Sequence, residues 1–117
     1  MSTSKPNQTI AVFITASSRK EAELLADMLV DKSLAACVQI MPEMQSIYRW
    51  QGKIECQREF LLIAKTLSSK FAEIESEVVK LHSYETPEIV ALPLTAGSRP
   101  YLEWLSANVN ETVEIDD

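Results

Sequence analysis

Ser46-Ile-Tyr-Arg-Trp-Gln-Gly-Lys53 is the stretch on which the fold turns. Gln51-Gly52 reads as a tight turn, because glycine tolerates the positive φ that such a turn needs. Apolar and β-branched residues extend on both sides, so Ala35 to Trp50 and Ile54 to Thr66 form two long strands of one hairpin. With position 50 opposite 53, Cys37 faces Thr66 and Cys56 faces Ile47, which separates the thiols well beyond the ~7 Å Cα limit of a disulfide. About 14 residues on each arm, at roughly 3.3 Å apiece, span about 45 Å. The hairpin tip therefore overhangs the body. It carries Ile47, Tyr48 and Trp50, and large apolar side chains on an overhang mark a contact with another protein subunit. Pro42 cannot donate a ladder hydrogen bond, so it puts the first arm at a sheet edge or in a bulge.

Working outward, Thr9-Ile-Ala-Val-Phe-Ile-Thr15 is a strand buried on both faces, and Ser18-Arg-Lys-Glu21 is a capping box opening a helix over about 18–32. Beyond the hairpin, Ser68-Ser69 opens a second helix with Phe71, Ile74, Val78 and Leu81 on one face. Ile89 to Leu94 is a fourth strand, and Ser98-Arg-Pro100 starts a last helix with Leu102 and Leu105 inward. The order β-α-β-β-α-β-α predicts an α+β fold, the ferredoxin-like split βαβ arrangement with an extra C-terminal helix. It holds a four-stranded antiparallel sheet with a long hairpin between its second and third strands. Right-handed crossovers put both main helices on one face. The central strands are apolar on both faces, so a partner subunit is expected to cover the other. Residues 1–117 form a single domain with an ordered core of about 9–108 and flexible tails at 1–8 and 109–117.

Composition removes several function classes. The 117 residues hold 11 Lys plus Arg against 17 Asp plus Glu, a net charge of -6, which repels nucleic acid and anionic membranes. No apolar run approaches the roughly 20 residues of a membrane span, and Met1 to Gln8 lacks the apolar core of a signal peptide, so a cytoplasmic protein is expected. Gly52 and Gly97, the two glycines, cannot build a phosphate loop. His82, the one histidine, excludes multi-histidine metal sites within one chain.

Leu34-Ala-Ala-Cys-Val38, the hairpin tip, Leu62-Ile-Ala-Lys-Thr66, His82-Ser-Tyr-Glu-Thr-Pro-Glu88 and Tyr101-Leu-Glu-Trp-Leu105 resemble, in order and spacing, the signature segments of the CutA divalent-cation tolerance proteins. The resemblance covers residues 9 to 108. It implies a ferredoxin-like homotrimer, similar in architecture to PII-type signal proteins and linked to tolerance of copper and other divalent metals. Copper-binding relatives offer a thiol at the end of the first strand and adjacent histidines. Here those places hold Ile14 and Leu81, which leaves His82 with carboxylates such as Glu85 as ligands of a weakly bound divalent cation. Cys37 sits at the opposite end from His82, and a buried free cysteine serves as a small apolar residue. Lys53, Tyr84, Glu85 and Glu88 approach a subunit cleft, as a small-ligand site or as interface salt bridges. The alternative function is a PII-like signalling or scaffold trimer that binds a small molecule or a protein partner. A small acyl-phosphate hydrolase is the weaker class: Arg19 stands in the first loop, but no glycine cradle surrounds it. No enzyme activity is expected.

Overall fold

The computed structural model describes residues 7–109. Its elements are β1 (Thr9–Ala16), α1 (Arg19–Asp31), β2 (Cys37–Trp50), β3 (Lys53–Leu67), a 3₁₀ turn at Ser68–Lys70, α2 (Phe71–Leu81), β4 (Ile89–Pro93) and α3 (Arg99–Ala107). The strands form one antiparallel sheet in the order β2-β3-β1-β4, as the split βαβ reading requires.

Alternation along the strands builds the core. Ile10, Val12 and Ile14 of β1 pair with Thr66, Ala64 and Leu62 of β3, and these six side chains share the face that α1 and α2 cover. Ala22, Leu25 and Leu29 of α1 and Ile74 and Val78 of α2 close over them at helical spacing. Leu81, expected on that inward face, is instead exposed at the last turn of α2. α1 ends in a Schellman motif: Leu34 N–H donates to Leu29 O at 2.9 Å and Ser33 N–H to Val30 O at 3.0 Å, with Ser33 at φ 57°. That turn swings Leu34 back into the core.

The hairpin departs from uniform pairing at Pro42. Trp50 faces Lys53 and Cys56 faces Ile47, but the register shifts between Met41 and Met44, so Cys37 faces Lys65 and not Thr66. Two residues, Pro42 and Glu43, oppose one there, which is a β-bulge at the residue that cannot donate a ladder bond. The extra residue flips the parity of β2. Val38 and Ile40 reach the helix face, while past the bulge Tyr48 and Trp50 share the opposite, open face with Glu55, Gln57 and Glu59. β2 is also an edge strand. β1 ends at Ala16 opposite Phe60, so Met44 to Glu59 is a free two-stranded ribbon, and the molecule measures 54 × 31 × 27 Å.

Three expectations about the margins change. The open face is not wholly bare, because α3 lays Leu105 against Leu67 and Ala36 at the end away from the ribbon. Val109, assigned above to a flexible tail, is buried in that cluster. Asn7 and Gln8, likewise assigned to a tail, are fastened to the start of the 3₁₀ turn: Ser68 N–H donates to Gln8 O at 2.7 Å and Ser69 N–H to Asn7 Oδ1 at 3.0 Å. Residues 1–6 and 110–117 lie outside the described residues.

Candidate functional site

The end of β1, the start of α1 and the turn after α2 meet at the base of the ribbon, and Glu21 ties them. Ser18 Oγ caps α1 by accepting Glu21 N–H at 3.1 Å, which aims the Glu21 side chain back past the helix start. Its Oε1 accepts from Ser17 N–H at 2.8 Å and Ser17 Oγ at 2.9 Å, while Oε2 accepts from Ser83 N–H at 2.7 Å. Burial alone would raise the Glu21 pKa, but the donors of Ser17 and Ser83 stabilise the anion and bring it from 4.5 down to about 2.

His82 occupies the centre of this junction with its side chain wholly buried. Its Nε2 lies 2.6 Å from Thr15 O and its Nδ1 3.0 Å from Tyr84 N. A carbonyl oxygen only accepts and an amide N–H only donates, so Nε2 carries the proton and Nδ1 uses its lone pair on Tyr84. The imidazole expected to ligate a metal with Glu85 therefore has no lone pair open in this arrangement. Glu85 is exposed on the turn that follows, and among the described residues no three His, Cys, Asp or Glu side chains converge as a metal cage would. The His82 ring fastens the 82–84 turn to β1. Ile14, at the place where relatives offer a thiol, points into the core under the helices.

Held by His82, Tyr84 leans on the sheet and donates from its hydroxyl to Glu59 Oε2 at 2.8 Å. Burial, the hydrogen bond to Glu59 and the Glu59 charge hold the phenol well above its usual pKa. These two residues form the inner wall of a cleft of about 810 Å³ between the ribbon and the 84–88 turn. Tyr48 and Trp50 line its ribbon side, with the Tyr48 hydroxyl pinned to Gln57 Oε1 at 2.7 Å. Glu55, Glu85 and Glu88 join Glu59 around it, and among the described residues no Lys, Arg or His lines it. Of the four residues expected at a cleft between subunits, Tyr84, Glu85 and Glu88 line this cleft within one chain, and Lys53 lies at the ribbon tip. Glu59 was missed. Its signal was present, since a carboxylate at a strand position facing the sheet is out of place unless it has a task.

The remaining candidates lie elsewhere. Ile47, Trp50 and Ile54 are 68%, 59% and 68% exposed on the ribbon. Cys37 lies 3.6 Å from the Tyr101 hydroxyl at the far end of the sheet, and Cys56 is exposed on the ribbon; both are free thiols. Arg19 stacks over the Phe60 ring at 5.5 Å and pairs with Glu23 at 3.4 Å. Among the described residues no helix is long and apolar enough to cross a membrane.

Comparison with known proteins fits this architecture. The chain is 48% identical over 103 residues to the divalent-cation tolerance protein CutA of Archaeoglobus fulgidus, covering 88% of this chain and 96% of that one. It is 42% identical over 108 residues to human protein CutA, covering 92% of this chain and 60% of that one. The solved divalent cation tolerance protein Cut A1 of Thermus thermophilus superposes with a TM-score of 0.86 at 45% identity, over 87% of this chain and 99% of that one. Compartment differs by name among such relatives: the solved Archaeoglobus protein is called periplasmic and an Arabidopsis relative chloroplastic. Residues 10–108 match the family described as CutA1 divalent ion tolerance protein, and the chain belongs to that family.

Proposed function

We propose that the chain works as a homotrimer in tolerance of divalent cations, copper among them, and that it meets those cations weakly at the hairpin cleft, not in a closed metal site. The observation that carries the assembly is the ribbon, where Ile47, Trp50 and Ile54 are exposed and no other element among the described residues covers them. Phe13, Leu61 and Ile63 on the open face, with the exposed Val90 and Leu92, add an apolar surface on the side of the sheet that bears Trp50. Weak cation contact is supported by the glutamates around the cleft, with Glu85 and Glu88 on its exposed rim. The proposed compartment is the cytoplasm, where the Cys37 and Cys56 thiols stay reduced.

Light scattering should return three times the 13.1 kDa of one chain. Trp50→Ala with Tyr48→Ala should dissociate on dilution while keeping the circular dichroism of the parent. A single-chain mass in the parent, or intact trimers in the double variant, would overturn the assembly. In calorimetric titrations with Cu²⁺ and Zn²⁺, Glu85→Gln with Glu88→Gln should remove the weak binding. Tight binding that only His82→Ala removes would mean that the imidazole is released to the metal after all.

A further inference from the structure

We infer that the hairpin cleft takes the ammonium or guanidinium group of an organic cation, seated on Glu59. This rests on the cation contact proposed above and adds a second ligand class at the same cleft, beside the weakly met divalent ions. Glu59 is only 6% exposed, and it forms no ion pair among the described residues. Its Oε2 is occupied by the Tyr84 hydroxyl. Its Oε1 accepts from no described donor, yet every fully buried side-chain oxygen or nitrogen among those residues has a partner. Oε1 is therefore the oxygen reached from the cleft. A largely buried carboxylate that leaves this one oxygen open to the cleft is stabilised by a cation that brings its own N–H donors.

The other walls select among cations. Tyr48, Trp50 and Tyr84 present aromatic rings, which attract alkylammonium and guanidinium groups and pack against methylenes. A hard divalent ion needs several oxygens converging on one point, and the described residues gather no such set. Glu55, Glu85 and Glu88 are instead spread around the cleft, an arrangement that suits several positive charges spaced along a flexible chain. Its roughly 810 Å³ is ample for a small organic molecule.

The same chemistry has two sources, a free polyamine or the Lys53 side chain of a neighbouring copy, since Lys53 lies on the ribbon face that bears the cleft residues. Spermidine serves as the probe, in calorimetry on the parent chain, Glu59→Gln, Lys53→Met, and Lys53→Met with Glu59→Gln. Glu59→Gln keeps an acceptor for Tyr84, and Glu75→Gln on exposed α2 is the charge control. If the free amine is the occupant, spermidine binds the parent, Glu59→Gln weakens it about tenfold or more, the worth of a hydrogen bond to a charged group, and Glu75→Gln leaves it unchanged. If the neighbour supplies the cation, the parent does not bind, Lys53→Met uncovers binding, and adding Glu59→Gln removes it again. No binding in either arm, or binding indifferent to Glu59→Gln, overturns the inference. Masses measured on the same samples separate the two readings: a monomer that binds through Glu59 refutes the trimer alone, and a trimer that fails both arms refutes the organic cation alone.

Discussion

The helix-covered body and the free ribbon are made from the same two strands, yet they treat their side chains in opposite ways. Along β3, Leu62, Ala64 and Thr66 are buried, whereas Ile54, Glu55 and Cys56, a few pairs further out, are exposed. Both halves alternate and pair antiparallel, and the bulge at Pro42 and Glu43 marks the boundary between them. The difference is the third layer. In the body a helix lies over one face, so each apolar side chain meets others of its own chain. Among the described residues no helix covers the ribbon, and the same residue types are left for another molecule. Intrachain stability is thus concentrated in the body, and the capacity for contact in the ribbon.

Paired truncations put that contrast at risk. Leu62→Ala leaves a cavity under α1 and α2 and should cost about 2–5 kcal/mol in urea denaturation. Ile54→Ala, measured as dilute monomer, should cost less than about 0.5 kcal/mol, as surface changes do. Comparable losses at the two sites would show that the ribbon folds back on the body and that the division is false.

How much of this was legible in the sequence follows from the same contrast. Local patterns show in residue order, so the alternation of β1, the helical spacing of Ala22, Leu25 and Leu29, and the overhang itself could be read directly. The bulge could be anticipated at Pro42, but not its effect on register, because a one-residue shift is decided by which side chains the helices bury: Val38 and Ile40 win, and Cys37 turns to Lys65. The site was half legible. Tyr84, Glu85 and Glu88 are neighbours in sequence and stay so in space. Glu59 joins them only through the pairing of β3 with β1, and His82 looked like a ligand because its two partners, a backbone carbonyl and a backbone amide, leave no mark on side-chain identity.

The junction between the two regions is sensitive to acid. Glu21 has a folded pKa of about 2 against 4.5, so the folded state favours the charged carboxylate, and its stabilisation is complete above pH 4.5. It is lost as pH falls from there toward 2. A shift of that size corresponds to about 3 kcal/mol. Glu21→Gln should lower stability at pH 7 by an amount of that order and flatten the acid limb of the stability profile between pH 4.5 and 2. Amide exchange at Ser17 and Ser83 should rise together in the variant, because their N–H groups share the lost carboxylate. A variant as acid-sensitive as the parent in that window would assign the acid limb to other carboxylates.

The smallest expected effect gives the sharpest version of the comparison, because each region contains one non-glycine residue in the left-handed conformation. Ser33 closes α1 at φ 57°, and Gln51 sits at φ 50° in the two-residue turn, followed by Gly52 at φ 81°. Positive φ at both central positions is the type I′ geometry, which matches the strand twist but suits Asn or Gly better than Gln. Either residue carries the strain of a side chain that crowds the backbone, and glycine relieves it at the cost of a more flexible unfolded chain. At Ser33 the relief should win. The Schellman hydrogen bonds and the buried Leu34 hold the backbone there in any case, so Ser33→Gly should stabilise by about 0.5–1 kcal/mol and raise the melting temperature. Gln51→Gly acts on a ribbon tip that contributes little to the body's cooperative unfolding, so in the monomer its melting temperature should stay where it was. If Gln51→Gly moves the melting temperature as far as Ser33→Gly does, tip and body unfold as one unit, and the ribbon is coupled to the core through β3.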